Sequence, residues 1–154
     1  MYNKVYVVGA GASGLLAAIK CSMNGADVTI LESQNKIGKK ILITGNGRCN
    51  ISNEKMDNSF YLSLEDHNEL THQFVKNSIK KFKNEDLLHF FKEIGMSVCN
   101  LDGYFYPYTL QAQTVTSVLL RALQQLNIKL ELNSKVKRIE SNQNSYRIFT
   151  DLSF

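Results

Sequence analysis

The chain has 154 residues and a mass of 17.5 kDa, about the size of one ordinary domain. With 44% hydrophobic and 21% charged residues and a single proline, it can build a sizeable core, which excludes a disordered tail or a collagen-like rod. A net charge of +4 is only mildly basic: Lys80, Lys81 and Lys83 cluster, but Glu85 and Asp86 follow directly, which reads as a solvated helix end and not a nucleic-acid stripe.

Lys4 to Val8 reads as a short β-branched strand, Gly9 to Gly14 breaks it, and Leu15 to Met23 follows at helical spacing through Leu15, Leu16, Ile19 and Met23. Gly25 stops that helix and Asp27 to Leu31 is a second strand. Strand, tight turn, helix and strand within about 30 residues make a βαβ unit with a parallel strand pair.

The next apolar run, Ile41 to Ile43, enters a segment rich in glycine and asparagine, and Ser52 to Asn68 holds no period and reads as a loop. Leu70 to Phe82 is a predicted helix with Phe74, Ile79 and Phe82 as core contacts. Asn84 is placed to cap another, whose apolar face is Leu87, Leu88, Phe91 and Ile94 before Gly95 ends it. Asp102-Gly103 predicts a tight hairpin between Val98-Cys99 and Tyr104 to Tyr106, stopped by Pro107. A longer helix spans roughly Gln111 to Leu126, and short strands are expected at Ile128 to Leu132, Val136 to Ile139 and Tyr146 to Thr150. No window approaches the roughly 20 apolar residues of a membrane span, and no secretory signal pattern opens the chain, so a cytoplasmic protein is expected.

Three cysteines, Cys21, Cys49 and Cys99, form no CxxC and no disulfide framework. His67, His72 and His89 have no metal-ligand spacing and read as structural or surface residues, so no metal is expected. No acid–base pair stands out, and the catalytic residues stay unassigned.

The chemistry-bearing motif is Gly9-Ala10-Gly11-Ala12-Ser13-Gly14, a GxGxxG directly after the first strand and opening the helix. Gly9 permits the tight turn, Gly11 lets the backbone approach a pyrophosphate, and Gly14 allows close helix–strand packing. The free amides of Ala10, Ala12 and Ser13 and the positive helix end favour phosphate. Glu32, at the end of the second strand, is placed to accept hydrogen bonds from an adenosine ribose, with Ser33 and Lys40 as further cofactor candidates. FAD and NAD share the ADP half, so this motif alone does not separate them.

A second segment runs from Gly38 to Asn53 as GKKILITGNGRCNISN. Gly45, Asn46 and Gly47 bring backbone amides near a ligand, and Arg48 offers a planar fork of donors for a phosphate or carboxylate. Asn50 and Asn53 orient local backbone or polar ring edges, and Cys49 is either a small core residue or a thiol for redox exchange.

Together with the opening fingerprint, this wording resembles the FAD-dependent oxidoreductases of the bile-acid reductase-like BaiN and YhiN-like flavoproteins, which include aminoacetone oxidase-like proteins. Gly45, Gly47, Arg48, Cys49, Asn50 and Asn53 match the family's GxGRCNxxN segment; Gly9, Gly11, Gly14 and Glu32 match its ADP-half residues. Asp102 to Thr109 is similar to the family's GRxFPxS segment, departing from it at Tyr104, Tyr106 and Thr109. Leu132 to Val136 is similar to a segment that approaches the flavin adenine, so Val136 is either an adenine neighbour or a strand-core valine.

The resemblance implies an α/β fold: a Rossmann-like, three-layer FAD-binding βαβ core with a parallel sheet, a β-hairpin and the start of a β-meander. It also implies that the chain is the truncated, N-terminal part of a longer flavoprotein. The expected organisation is an ADP-binding unit at 1–33, a flavin-side segment at 38–53, a helical region with hairpin at 68–127 and strands at 128–154. The implied activity is electron or hydride transfer through FAD to or from a small molecule, with NAD(P)H as a possible donor and no nucleic-acid partner. The competing readings are an NAD-dependent dehydrogenase and a non-catalytic nucleotide-binding module.

Overall fold

The computed structural model describes residues 3–56, 61, 69–143 and 145–151, the side chain of Thr71 excepted. The chain divides into two compact units, 1–43 with 116–154, and 44–115.

The first unit starts with β1 (Lys4–Val8), α1 (Ala12–Met23) and β2 (Asp27–Leu31). β1 and β2 pair in parallel from Lys4 opposite Asp27 to Val8 opposite Leu31, and α1 packs on both. Four of the five β2 residues are buried, as befits a strand covered on its two faces. Leu15, Ala18 and Ile19 form the buried stripe of α1, each fully enclosed, and burying a leucine or isoleucine side chain is worth about 1.5–3 kcal/mol. The predicted fourth member, Met23, lies past that stripe and is 40% exposed, because the helix ends there. Asn24 takes up the last carbonyls and Gly25, at φ +85, turns the chain into β2.

Two elements downstream complete this unit. β6 (Lys129–Glu131) joins the other edge of β2, also in parallel, giving the order β1-β2-β6. Leu119, Ala122 and Leu123 are the buried hydrophobic residues, and Thr116 the buried polar one, of the preceding helix α4 (Ala112–Gln125) within this unit. The Ser22 hydroxyl at the end of α1 donates to the Leu126 carbonyl at 3.4 Å. β7 (Val136–Ser141) and β8 (Tyr146–Thr150) form an antiparallel pair of their own, with a register shift between Val136 and Arg138. The result is the expected Rossmann-like three-layer α/β core around a parallel sheet.

In the second unit, β4 (Val98–Leu101) and β5 (Tyr104–Pro107) form the predicted hairpin. Asp102 and Gly103 both adopt positive φ, +53 and +85, as a two-residue mirror-image turn demands. A third strand, β3 (Ser52–Asn53), pairs antiparallel with β5, where the sequence predicted loop. Two residues carry no period of their own, and their pairing depends on Phe105 and Tyr104 far along the chain.

α2 (Glu69–Lys81) and α3 (Asn84–Glu93) match the predicted helices, with two corrections. Phe74 and Phe82, the latter just past the helix, are 71% and 51% exposed, and of the contacts expected to be core only Ile79 is half-buried. At α3 the capping position is Lys83, not Asn84: the Asp86 carboxylate reaches back to accept the Lys83 amide at 2.7 Å. The buried end of α3 carries Phe90 and Phe91 in edge-on contact, with Ile94 and Met96. The 57–60 and 62–68 part of the predicted loop, His67 included, lies outside the described residues.

Candidate functional site

The glycine turn is built by three separate constraints. Gly9 sits at φ +99 and donates its amide to the Leu31 carbonyl at 2.8 Å, extending the β1–β2 pairing one step beyond the strands. Gly11 is extended at the N-cap, and no atom lies within 4 Å of where its side chain would be. A methyl on Gly14 would stand 2.0 Å from the Gly9 carbonyl oxygen, so only glycine lets α1 press this closely on the turn. The first turn of α1 has neither a side-chain cap nor an acidic residue, which leaves the amides of Ala12 and Ser13 and the positive helix end for an anion.

Glu32 ties the turn to the end of β2. It is 8% exposed; its Oε2 accepts the Ala10 amide at 2.6 Å, and its Oε1 accepts the Gln34 amide at 2.8 Å and the Ser33 hydroxyl at 3.1 Å. Burial pushes this carboxyl up. The Ala10 and Gln34 amides, the Ser33 hydroxyl and the Lys39 charge outweigh it and hold the group below the ordinary carboxylate range. An ionised carboxylate has about four acceptor directions, so the three donors leave room for a ribose hydroxyl.

Ala10 therefore acts through the backbone in another way than expected of a cofactor residue. It is 1% exposed, its amide is committed to Glu32, and its carbonyl accepts the Gly38 amide at 2.8 Å. Ser33 and Lys40 are exposed. The loop after β6 is laced to the same corner: Asn133 donates its amide to Gln34 at 3.0 Å and Ser134 to the Glu32 carbonyl at 2.8 Å. Ser134 is 1% exposed, and its hydroxyl has no partner among the described residues. Val136, half-buried, follows two residues later.

The second candidate group lies wholly in the other unit. Gly45, Asn46 and Gly47 are consecutive left-handed residues at φ +54, +53 and +80, and Cys49 is a fourth at +59. The Arg48 amide donates to Gly45 at 3.1 Å and the Cys49 amide to Thr44 at 3.0 Å, closing the loop on itself. A side chain on Gly45 would come within 2.7 Å of the Asn50 nitrogen and 3.5 Å of the Tyr106 ring. Ile51 then bonds to the Phe105 carbonyl at 2.8 Å, which fastens the loop to β5. Arg48 and Asn50 face outward, while Cys49 is buried. Burial pushes the Cys49 thiol up, against a smaller opposing effect of the Thr44 side chain, so it is held as a thiol at neutral pH.

Among the described residues no helix is long and apolar enough to cross a membrane. His72 is exposed, and His89 lies 3.7 Å from Glu93 one helical turn on.

Comparison with known proteins adds the following. The family model described as "HI0933-like protein Rossmann domain" matches residues 3–153. A 3-dehydro-bile acid delta(4,6)-reductase of Clostridium scindens is 37% identical over 97% of this chain and 36% of its own length. A ribosomal RNA dihydrouridine synthase of Haemophilus influenzae is 29% identical over 96% of this chain and 35% of its own length. The chain thus spans about a third of these curated relatives.

Among solved structures, the 3-ketosteroid-delta4-(5alpha)-dehydrogenase of Rhodococcus jostii RHA1 superposes with a TM-score of 0.61 at 13% identity, over 93% of this chain and 41% of that one. CtdE in complex with FAD does so at 0.50 and 19%, over 98% and 35%. At these identities the likeness is one of fold, and family and fold together support FAD as the cofactor.

Proposed function

The chain belongs to the HI0933-like family, and from that premise we propose that it is the FAD-binding part of a reductase that saturates a ring carbon–carbon double bond conjugated to a carbonyl. The observation that carries the cofactor assignment is the corner at Glu32. An ionised carboxylate pins the Ala10 amide, and beside it Gly11 leaves open backbone in front of an uncapped helix. Negative charge from a pyrophosphate suits the helix end, and negative charge on Glu32 disfavours a 2′-phosphate on the ribose.

In this reading Gly9, Gly11 and Gly14 shape the turn, Ala12 and Ser13 donate amides to the pyrophosphate, and Glu32 accepts the ribose. Ser33 and Lys40 flank that end, and Val136 lies by the adenine. Gly45, Asn46, Gly47, Arg48 and Asn50 serve the flavin side, with Arg48 as the cation for a phosphate oxygen. Cys49 holds the loop through burial. FAD supplies two-electron chemistry, while the chain's residues bind and orient it. NAD(P)H is the proposed donor.

The reaction class rests on what the two relatives' names share. One is a 3-dehydro-bile acid delta(4,6)-reductase and the other a dihydrouridine synthase, and both names describe saturation of a ring carbon–carbon double bond. The test is to load the chain with FAD, reduce it anaerobically and add a cyclic enone. Return of the oxidised-flavin absorbance with formation of the saturated ketone, faster than with free reduced FAD, is expected. Reoxidation no faster than that of free reduced FAD contradicts the assignment.

A further inference from the structure

The unit formed by residues 44–115 contains a cavity of about 620 Å³ whose described lining includes only one of the proposed cofactor residues, Asn50. We propose that this cavity is a binding site for an apolar ring compound carrying an anionic or carbonyl oxygen at one edge.

The argument starts with the backbone. β3 places Asn53 directly opposite Tyr104 of β5, so an amide and an aromatic ring stand side by side on one wall. The Asn53 Oδ1 accepts the Lys55 amide at 2.8 Å, a local turn that brings Lys55 to the rim. That bond uses the carbonyl end of Asn53, and its NH₂ end makes no hydrogen bond among the described residues. Met56 and Leu87, the latter from the first half of α3, supply the apolar floor.

The described lining residues carry one formal charge, the Lys55 ammonium, which has no ion-pair partner among the described residues. Its neighbour Glu54 is turned elsewhere: its carboxylate is bonded to the Asn100 amide and its backbone to Gly103. An apolar floor, two aromatic rings (Tyr61 and Tyr104), two carboxamides and the Lys55 cation, among the described residues, fit a ring system with an electron-rich oxygen edge. The volume lies inside the roughly 300–1,000 Å³ range of small-molecule sites. Asn50 belongs both to this lining and to the 45–50 loop. That shared residue makes the occupant a substrate, a step that rests on the flavin reading; the binding itself does not.

Anilinonaphthalene sulfonate has the required shape, with fused rings and one anionic edge, and phenylnaphthylamine is its uncharged counterpart. The chain has no tryptophan, so Leu87→Trp gives a single reporter inside the cavity. Expected are saturable binding of the sulfonate at one site, a change in Leu87→Trp emission that tracks it, and preference for the sulfonate over the amine. Lys55→Met should weaken sulfonate binding about fivefold and leave the amine unchanged.

Equal binding of the two compounds, or no effect of Lys55→Met in a chain whose circular dichroism is unaltered, would overturn the proposal. So would competitive displacement of the sulfonate by FAD, since the cavity would then belong to the cofactor. FAD uptake followed by its own absorbance in the same samples separates the two readings. Its failure with sulfonate binding intact removes the flavin assignment and leaves the cavity's.

Discussion

The carboxylate of Glu32 accepts the amide hydrogen of Ala10 at 2.6 Å, joining the end of β2 to the turn after β1. The same carboxylate holds Gln34 and Ser33, so one side chain fixes both sides of the corner where the cofactor's ribose is proposed to lie. Its folded pKa lies below the ordinary 4.5, so on acidification the unfolded chain takes up this proton first. The stability it contributes is complete above that ordinary value and drains away as pH falls through the lower folded value. Glu32→Gln should lower stability at neutral pH by about 2 kcal/mol. It should also flatten the acid limb of the stability–pH curve, measured by urea unfolding across the acid range.

Gly11 and Gly14 should separate binding from folding. Gly14→Ala puts a methyl 2.0 Å from the Gly9 carbonyl and should cost about 3 kcal/mol or abolish folding. Gly11→Ala meets no atom within 4 Å at a φ of −79, so thermal stability should be unchanged or slightly raised. Its methyl occupies the space a pyrophosphate needs, and FAD affinity should fall about tenfold or more by equilibrium dialysis.

In the second unit the two loop glycines differ in the same measurable way. Gly45→Ala combines φ +54 with a 2.7 Å approach to the Asn50 nitrogen, whereas Gly47→Ala has φ +80 but open space. Gly47→Ala should cost about 1 kcal/mol, the strain alone, and Gly45→Ala distinctly more. Thermal melts of the two variants beside the parent chain make the comparison.

The three cysteines are all free, but only Cys49 is buried. With burial holding its pKa up, it should react with an aromatic disulfide reagent about tenfold or more slowly than Cys21 and Cys99 near about pH 8. Two fast thiols followed by a slow one, which becomes fast in urea, is the expected time course. Three equally fast thiols would show that the loop does not hold Cys49 as described.

Much of the first unit was legible in the sequence because its determinants are local. β-branched runs, Gly9, Gly11 and Gly14 at their spacing, and Gly25 as a stop each act within a few residues of where they stand. The Ala10–Glu32 bond was not legible, since it depends on how a turn and a strand end meet, and neither residue type announces it. Periodicity found the α2 stripe but could not say which stripe packs, so Phe74 and Phe82 were misplaced in the core. β3 was missed because it forms by pairing with β5, far along the chain. At the site, the glycines and Glu32 carried a recognisable spacing, while Asn133 and Ser134 reach the Glu32 corner only through backbone amides, for which any residue type serves.

In the reading proposed above, this chain binds FAD through the β1–α1 turn and Glu32. The most direct measurement is the visible spectrum of the purified 154-residue chain, before and after incubation with FAD and desalting, with the released nucleotide identified by mass. A retained flavin spectrum with FAD in the released fraction, lost in Gly11→Ala, is the predicted result. A colourless chain that takes up no added FAD, or a Gly11→Ala variant that retains it as well as the parent, would contradict the account.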